Sequence, residues 1–314
     1  MYDIYRKRKL EMDKKVDIII PVYKPDDSFK DVIRKLINQT VKPNHIYLLQ
    51  TIENDKEKLI GTKDETVTVH PIKKKEFDHG GTRRYGVSLS KADYVLLMTQ
   101  DALPKDDRLI ENLLKAFDEE TGVSYGRQLA REGADIVERM TREFNYPAES
   151  IVKTKDDLQR LGIKTYFCSD VCAMYKKSIY DELGGFVKKT IFNEDMIMAS
   201  KIIKAGYKVV YAADAQVIHS HSYTCRQQFS RNFDLGVSQC QYKDVFKGIS
   251  SEKEGRGYAK LIIITLLKKG KFIKAFHFAM QCGFKLFGYK LGLRYDMLSM
   301  RMILKCTMNK GYWE

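Results

Sequence analysis

The sequence predicts an α/β fold built on a mixed, mostly parallel sheet, and three observations support this. Short apolar runs rich in β-branched residues recur in the first hundred residues, beginning with Val16–Val22. Apolar residues at helical spacing lie between these runs, as in Phe29–Ile37. Polar residues follow each run directly. Strands that alternate with helices form parallel sheets, whose ligands bind at the carboxyl ends of the strands.

The predicted elements follow one another along the chain. Val16–Val22 is typical of a buried strand, and Asp26, Asp27 and Ser28 can cap the helix after it. The other predicted strands span residues 45–50, 67–69, 94–98, 166–175 and 207–221, with a helix near 83–90 and mostly helical structure over 105–165. The polar segments at the ligand-binding edge should therefore be residues 21–24, 50–55 and 99–104.

The positive charge of the chain is concentrated near its C-terminus. The 314 residues carry a net charge of +14, and residues 226–314 hold 17 lysines and arginines against 6 aspartates and glutamates, a net +11. We divide the chain into an α/β domain, residues 1–225, and a basic, amphipathic helical region, residues 226–314. Such an asymmetry indicates an anionic partner.

A membrane surface is the expected partner of this C-terminal region. Between residues 258 and 293, lysines alternate with leucine, isoleucine and phenylalanine at helical spacing, as in interfacial helices. Lys268, Lys269, Lys271 and Lys274 would meet anionic headgroups, and large apolar faces argue against nucleic-acid binding. The alternative is a helical subdomain packed on the core or on a second subunit, so a homo-oligomer stays open. No apolar segment reaches the ~18 residues that a spanning helix needs.

The cysteines and the first residues indicate the compartment. Six cysteines are scattered without a CxxC pair, so we expect reduced packing residues rather than disulfides or zinc ligands. The first fifteen residues are charged and lack an apolar segment, so no signal peptide is expected. Both observations favour a cytoplasmic location.

The segment TQDALP, residues 99–104, carries the sharpest local signal, because Asp101 leaves a buried strand at the ligand-binding edge. A carboxylate there can bind a divalent ion that neutralises a diphosphate; a loop or cap aspartate is the alternative. Together, IIIPVY, HGGTRRYG, TQDALP, GGF followed by NED, and VIHSH make residues 15–225 resemble family 2 inverting glycosyltransferases, particularly bacterial rhamnosyltransferases. The resemblance implies a GT-A fold with a Rossmann-like nucleotide-binding domain.

The resemblance also implies residues that bind the nucleotide-sugar. Pro21 and Tyr23 would pack the base, and Glu53, or less favourably Asp55, would hydrogen-bond a pyrimidine. Further contacts to the diphosphate or base would come from the segment after Phe77, namely from Asp78, His79, Thr82 and Arg83. Gly80 and Gly81 in this segment would allow the backbone to approach the ligand closely. The alternative for Pro21 and Tyr23 is a strand-ending turn, and the alternative for Glu53 and Asp55 is a solvated loop. For the segment after Phe77 the alternative is helix capping and turn formation.

The catalytic and metal-binding residues follow from the same resemblance. Asp195 of the NED segment would be the general base, with Glu194 beside it and Asp170 facing the acceptor. The usual DxD motif is reduced to Asp101, because Thr99 and Gln100 precede it. His219 and His221 share one face of a strand and would help to hold Mg²⁺ or Mn²⁺; a structural role is the alternative.

The sequence thus predicts a glycosyltransferase on the cytoplasmic face of a bacterial membrane. The expected donor is dTDP-β-L-rhamnose, and the expected acceptor is a lipid-linked saccharide of a surface polysaccharide. One alternative is the same chemistry with UDP-galactose, UDP-GlcNAc or UDP-galactofuranose. The other is a non-catalytic nucleotide-sugar-binding scaffold subunit, suggested by the missing first carboxylate of DxD.

Overall fold

The fold is organised around one mixed sheet of nine strands. The structure, a computed structural model, describes residues 14–62, 64–221, 223–246 and 252–313. The strands are β1 Val16–Val22, β2 His45–Ile52, β3 Val67–Lys73, β4 Tyr94–Met98, β5 Leu103–Pro104, β6 Thr121–Leu129, β7 Ile151–Lys153, β8 Cys172–Lys176 and β9 Lys208–Ile218. The predicted α/β class is confirmed.

The sheet has a parallel half and a mixed half. Its order is β3-β2-β1-β4-β8-β6-β9-β5, with β7 paired to β9. Strands β3, β2, β1 and β4 run parallel, whereas β8 is antiparallel to both of its neighbours, β4 and β6. In β1, Ile18 and Ile20 face one apolar layer and Ile19 the other. A strand buried on both faces needs the continuous apolar run seen in its sequence.

Twelve α-helices surround the sheet and extend beyond it in the described residues. They are α1 Phe29–Ile37, α2 His79–Leu89, α3 Leu109–Leu114, α4 Ile136–Asn145, α5 Leu158–Leu161, α6 Lys177–Glu182, α7 Glu194–Lys204, α8 Cys225–Gln241, α9 Lys243–Phe246, α10 Glu252–Lys268, α11 Phe272–Gly292 and α12 Met300–Cys306. Helix α1 lies where its apolar spacing predicts.

Two predictions for the middle of the chain were wrong. Residues 105–165 contain β6 and β7 and are not mostly helical. Strand β6 was not predicted because polar residues and two glycines interrupt its apolar pattern. The glycines are needed for packing, since a Cβ on Gly122 would lie 2.7 Å from Ile202 and a Cβ on Gly126 would lie 2.6 Å from the Ala215 carbonyl oxygen. The strand predicted over 166–175 begins only at Cys172, because residues before it form a loop.

The C-terminal helices pack on one another and on the α/β domain. Helices α8 and α11 cross so closely that a Cβ on Gly288 would collide with the Phe229 carbonyl, and one on Gly236 with that of Tyr289. Helices α10 and α11 bury a small apolar cluster against α4. Among the described residues, no helix is both long and apolar enough to span a bilayer.

Candidate active site

A cavity of about 1340 Å³ opens at the edge of the sheet where β4 and β9 end. It is lined by eight of the residues that the sequence singles out, namely His79, Arg83, Asp101, Asp170, Glu194, Asp195, His219 and His221. Pro21, Tyr23, Glu53 and Asp78 do not line it. The loop between Phe167 and Val171, where a strand was predicted, forms part of its wall.

Asp195 lies at the first turn of α7 without a cation on its carboxylate in the described structure. One carboxylate oxygen accepts from the Met196 N–H at 2.7 Å and the other from the Asp170 N–H at 3.3 Å. Burial, and then the charge of Glu194, raises the pKa of Asp195 above its usual range. An ionised Asp195 is therefore a stronger base than a solvated aspartate.

Glu194 beside it is held differently. Its carboxylate forms an ion pair with Arg83 Nη1 at 3.0 Å, and both side chains are buried. Burial alone would raise the pKa of Glu194, but the charges of Arg83, His79 and Arg231 and a backbone hydrogen bond together outweigh it and lower the pKa. Two adjacent carboxylates with pKa values shifted in opposite directions mark separate acid–base roles. Here Glu194 is suited to be a fixed anion and Asp195 a proton acceptor.

Asp170 completes this cluster from the loop before β8. The Tyr175 hydroxyl donates to it at 2.8 Å, and Arg83 Nε lies 3.5 Å from its second oxygen. Burial, and then the charge of Asp195, raises the pKa of Asp170 well above its usual range. Arg83 thus lies between two acids, and it also lines the cavity.

Asp101, His219 and His221 form a group with metal-ligand geometry. The Nε2 atoms of the two histidines lie 2.8 Å apart, and Asp101 Oδ2 lies 3.0 Å from that of His221 and 3.6 Å from that of His219. Adjacent ligands at ~2.1 Å from an octahedral ion are separated by about 3 Å, so these atoms fit one divalent cation. They lie within 4.8 Å of one another.

Gln128 at the end of β6 orients His219 and was not predicted from the sequence. Its Oε1 accepts from His219 Nδ1 at 2.9 Å, while its amide nitrogen donates to the Tyr146 hydroxyl at 2.6 Å. With the proton on Nδ1, Nε2 of His219 presents a lone pair toward Asp101 and His221, as metal binding requires. Burial also lowers the pKa of His219, which favours the neutral imidazole. No local sequence pattern identifies Gln128 as a site residue, because the strand that carries it, β6, was not predicted from the sequence.

The residues predicted to bind the base form a separate, exposed cluster. The Tyr23 hydroxyl donates to Glu53 Oε1 at 2.6 Å, and Lys24 and Lys74 contact the same oxygen at 2.9 and 3.1 Å. These hydrogen bonds lower the pKa of Glu53 to about 2. Gln100 joins this cluster to the Asp101 loop by accepting from the Tyr23 N–H at 2.7 Å. Pro21 lies in β1, and Asp55 forms an ion pair with Lys73 at 3.4 Å at the surface.

Asp78 and the two glycines after it have a structural position. The Asp78 carboxylate caps α2 by accepting from the Gly81 N–H at 2.7 Å and also accepts from the Thr190 N–H at 3.0 Å. A Cβ on Gly80 would lie 2.5 Å from the Val187 carbonyl oxygen. The close approach that we expected toward a ligand is therefore an approach of α2 to the segment preceding α7. Asp78 as a nucleotide-binding residue stays a prediction.

The C-terminal helices supply one wall of the cavity, which the sequence did not predict. Helix α8 contributes Gln228, Arg231, Leu235 and Gln239, and α11 contributes Ile273, Lys274, His277, Phe278, Gln281 and Lys285. The site thus combines a buried carboxylate of raised pKa, a group of one carboxylate and two imidazoles that could hold a metal ion, and a basic wall.

An α/β domain with these groups at one edge of its sheet defines a GT-A transferase. The fold is similar to that of the mannosyltransferase PcManGT from Pyrobaculum calidifontis, solved with GDP-Man and Mn2+, with a TM-score of 0.60, 11% identity and 95% of each chain covered.

The chain belongs to glycosyl transferase family 2, whose family model matches residues 17–184. Two relatives match along nearly their whole length. The chain is 38% identical over 307 residues to the O-antigen chain rhamnosyltransferase RfbN of Salmonella typhimurium, covering 96% of each. It is 35% identical over 302 residues to the O-antigen chain rhamnosyltransferase WbaN of Salmonella anatum, covering 95% of each.

Proposed function

We propose that this protein is an inverting rhamnosyltransferase. It transfers L-rhamnose from dTDP-β-L-rhamnose to a hydroxyl of a lipid-linked saccharide in surface-polysaccharide synthesis. The observation that carries the proposal is the presence, in one cavity, of the unpaired carboxylate of Asp195 and the Asp101–His219–His221 group. The rhamnosyltransferases to which the chain is similar support the choice of sugar.

The chemistry assigned to Asp195 is removal of the acceptor proton. The acceptor oxygen attacks the anomeric carbon as its proton passes to the Asp195 carboxylate, and the bond from that carbon to the diphosphate oxygen breaks on the opposite face. Attack from the face opposite the leaving group inverts the configuration. Buried Glu194 stays ionised because it pairs with Arg83, and its negative charge adds to burial in raising the pKa of Asp195. General-base assistance typically contributes about 10²- to 10⁴-fold in rate.

A divalent ion, Mn²⁺ or Mg²⁺, would be held by Asp101, His219 and His221 and would neutralise the diphosphate of the departing nucleotide. Two imidazole nitrogens in the ligand set favour Mn²⁺ over the harder Mg²⁺. Arg83 lines the same cavity between Glu194 and Asp170, and its contact with the diphosphate stays a prediction.

The exposed cluster around Glu53 suits a pyrimidine nucleotide. A Glu53 carboxylate with a lowered pKa stays ionised and can accept the N3–H of thymine or uracil. Tyr23 offers an aromatic ring beside it. Because thymine and uracil share this donor, Glu53 supports a dTDP or a UDP sugar equally.

The outer face of the C-terminal helices supports a peripheral location at the inner membrane surface. Exposed side chains of α10 and α11 include Leu261, Ile264, Leu267, Phe272, Phe276 and Phe287. The exposed Lys268, Lys269 and Lys271 lie in the turn between the two helices. Apolar surface beside lysines is the composition that anionic bilayers bind. Lys274, which we expected in this group, instead pairs with Asp135 and lines the cavity.

The proposal is tested by transfer assays with purified protein. We expect dTDP-β-L-rhamnose, and not UDP-galactose, UDP-GlcNAc or UDP-galactofuranose, to support transfer to a lipid-linked saccharide in the presence of Mn²⁺. The new linkage, examined by NMR, should have α configuration. Transfer from a UDP sugar alone would show that the proposed donor, dTDP-β-L-rhamnose, is wrong. A β linkage would contradict inversion. No transfer from any donor would favour a scaffold role.

A further inference from the structure

The cavity has walls of opposite charge. The α/β domain lines it with six acids against two arginines, Arg83 and Arg142, and the acids are Asp101, Asp135, Glu138, Asp170, Glu194 and Asp195. Helices α8 and α11 contribute Arg231, Lys274, Lys285 and His277, and no acid is among the lining residues described on these two helices. A ligand that spans the cavity would therefore meet a general base on one side and cations on the other.

Arg231 and Lys285 differ from Lys274 in having no close acid among the described residues, although the charge of Arg231 acts on Glu194 and Asp234 from a greater distance. Lys274 is paired with Asp135, but none of the residues that the structure describes forms an ion pair with Arg231 or Lys285. Arg231 lies against the rings of Phe192 and Tyr223, 4.7 and 5.7 Å from their centroids. Burial lowers the pKa of Lys285, and the nearby charge of Arg231 lowers it further. An anion bound between two like charges in a partly buried wall would offset their repulsion and the cost of burying them.

The mouth of the cavity lies beside the exposed apolar face of α11. Ile273 lines the cavity and is 86% exposed, and its neighbours Phe272 and Phe276 are 65% and 68% exposed. An alkyl chain can therefore lie on the outer face of α11 while the group attached to it enters the cavity. This position favours the phosphate of a lipid over a free anion.

We propose that Lys285 and Arg231 form an anion subsite that holds the phosphate or diphosphate joining the acceptor saccharide to its lipid. The subsite fixes the saccharide across the cavity from Asp195, with the lipid leaving past Ile273. This inference rests on the proposed function, because it assigns the acceptor half of the same cavity.

The test compares two acceptors that differ in the anion alone. One is the saccharide on a short, water-soluble prenyl diphosphate, and the other is the same saccharide joined directly to the same prenyl group as a neutral glycoside. Lys285→Gln should raise the KM for the diphosphate-linked acceptor about tenfold more than the KM for the glycoside, as expected for one charge-assisted hydrogen bond. Lys285→Arg should restore most of the difference, and Lys260→Gln, at an exposed position on α10, should show none.

A binding measurement makes the result independent of transfer. By calorimetry, wild-type protein should bind farnesyl diphosphate at least tenfold more tightly than farnesol, and Lys285→Gln should remove this difference. If that variant unfolds, Lys285→Met, which keeps the apolar stem, replaces it.

Three results would overturn the subsite. They are equal KM changes for both acceptors, a raised KM for the nucleotide-sugar in place of the acceptor, and equal binding of farnesyl diphosphate by wild type and variant. Failure of the wild-type protein to transfer to either acceptor would instead reject the proposed function, with calorimetry still deciding the subsite.

Discussion

The α/β domain and the C-terminal helices place their apolar and polar residues in opposite ways. In the domain, the apolar side chains of β1 and β4 are fully buried and the polar groups gather at one edge of the sheet. On α11, the polar side chains Lys274, Gln281 and Lys285 face the cavity, while Phe272 and Phe276 face outward. An outward apolar face on a helix that is not both long and apolar enough to span a bilayer indicates a surface for a partner, which we propose to be the membrane.

This difference predicts that chemistry and membrane binding can be lost separately. Substitutions in the domain should stop transfer and leave vesicle binding intact, substitutions on the outer helix face should do the reverse, and substitutions at the α8–α11 contact should affect both.

The largest effect is expected for Asp195→Asn. The amide keeps the shape of the side chain but cannot take the acceptor proton, so transfer should fall by about 10²- to 10⁴-fold. The rate is measured with saturating donor and acceptor, while calorimetry with the nucleotide should show binding retained. Asp107→Asn, the same chemical change at an exposed position, is the control. Transfer within threefold of wild type would remove Asp195 from the base role.

Asp101→Ala should come next, with roughly a hundredfold loss of activity and of Mn²⁺ affinity together, because the ion loses its carboxylate ligand. His219→Ala should show a milder form of the same defect. A chelator should abolish wild-type transfer, and Mn²⁺ should restore it better than Mg²⁺. Activity indifferent to both the chelator and Asp101→Ala would reject the metal site.

Charge reversal of the helix turn should weaken membrane binding alone. Lysines near an anionic surface contribute about 1 kcal/mol each, so changing Lys268, Lys269 and Lys271 to Glu should weaken binding to anionic vesicles roughly a hundredfold or more. Co-sedimentation at low salt measures the loss. Reversal of three other exposed lysines, Lys56, Lys91 and Lys155, is the control. Equal loss in both triple variants would remove the specific role of the turn.

The smallest effect is expected on stability, from Gly288→Ala. The added methyl would collide with the Phe229 carbonyl at the α8–α11 crossing and should cost about 1–3 kcal/mol of unfolding free energy. Gly283→Ala in the same helix has open space around it and should stabilise by up to ~1 kcal/mol. Urea unfolding measures both variants. Two equal effects would mean that the close crossing is unimportant.

The sequence predicted the parts of the structure that depend on local pattern. Strands β1, β2 and β4 and helix α1 follow from apolar periodicity, and the segments after them reach the expected edge of the sheet. The five motifs of the family resemblance contain Asp101, Asp195 and His219, which the structure brings into one cavity. Their catalytic and metal-binding roles stay predictions.

The parts that were missed depend on contacts between distant residues. Gln128 orients His219 across 91 positions of sequence, and no local signal identifies such a pair. The basic wall was missed because a lysine such as Lys285 has the same spacing on α11 whether it faces a bilayer or a cavity. Only packing of Gly236 and Gly288 at the helix crossing decides which face turns inward.

Because the α/β domain and the C-terminal helices line one cavity, a chimaera of this enzyme with a relative would combine the two parents' residues within a single site. A junction near residue 225, at the start of α8, separates the two segments cleanly along the chain but divides the cavity between them. A hybrid built there would set one parent's proposed base and metal ligands opposite the other parent's proposed acceptor subsite. Deleting residues 256–314 would likewise remove Lys285 and expose the apolar cluster on α4, so a truncated protein would lose its site together with its membrane surface.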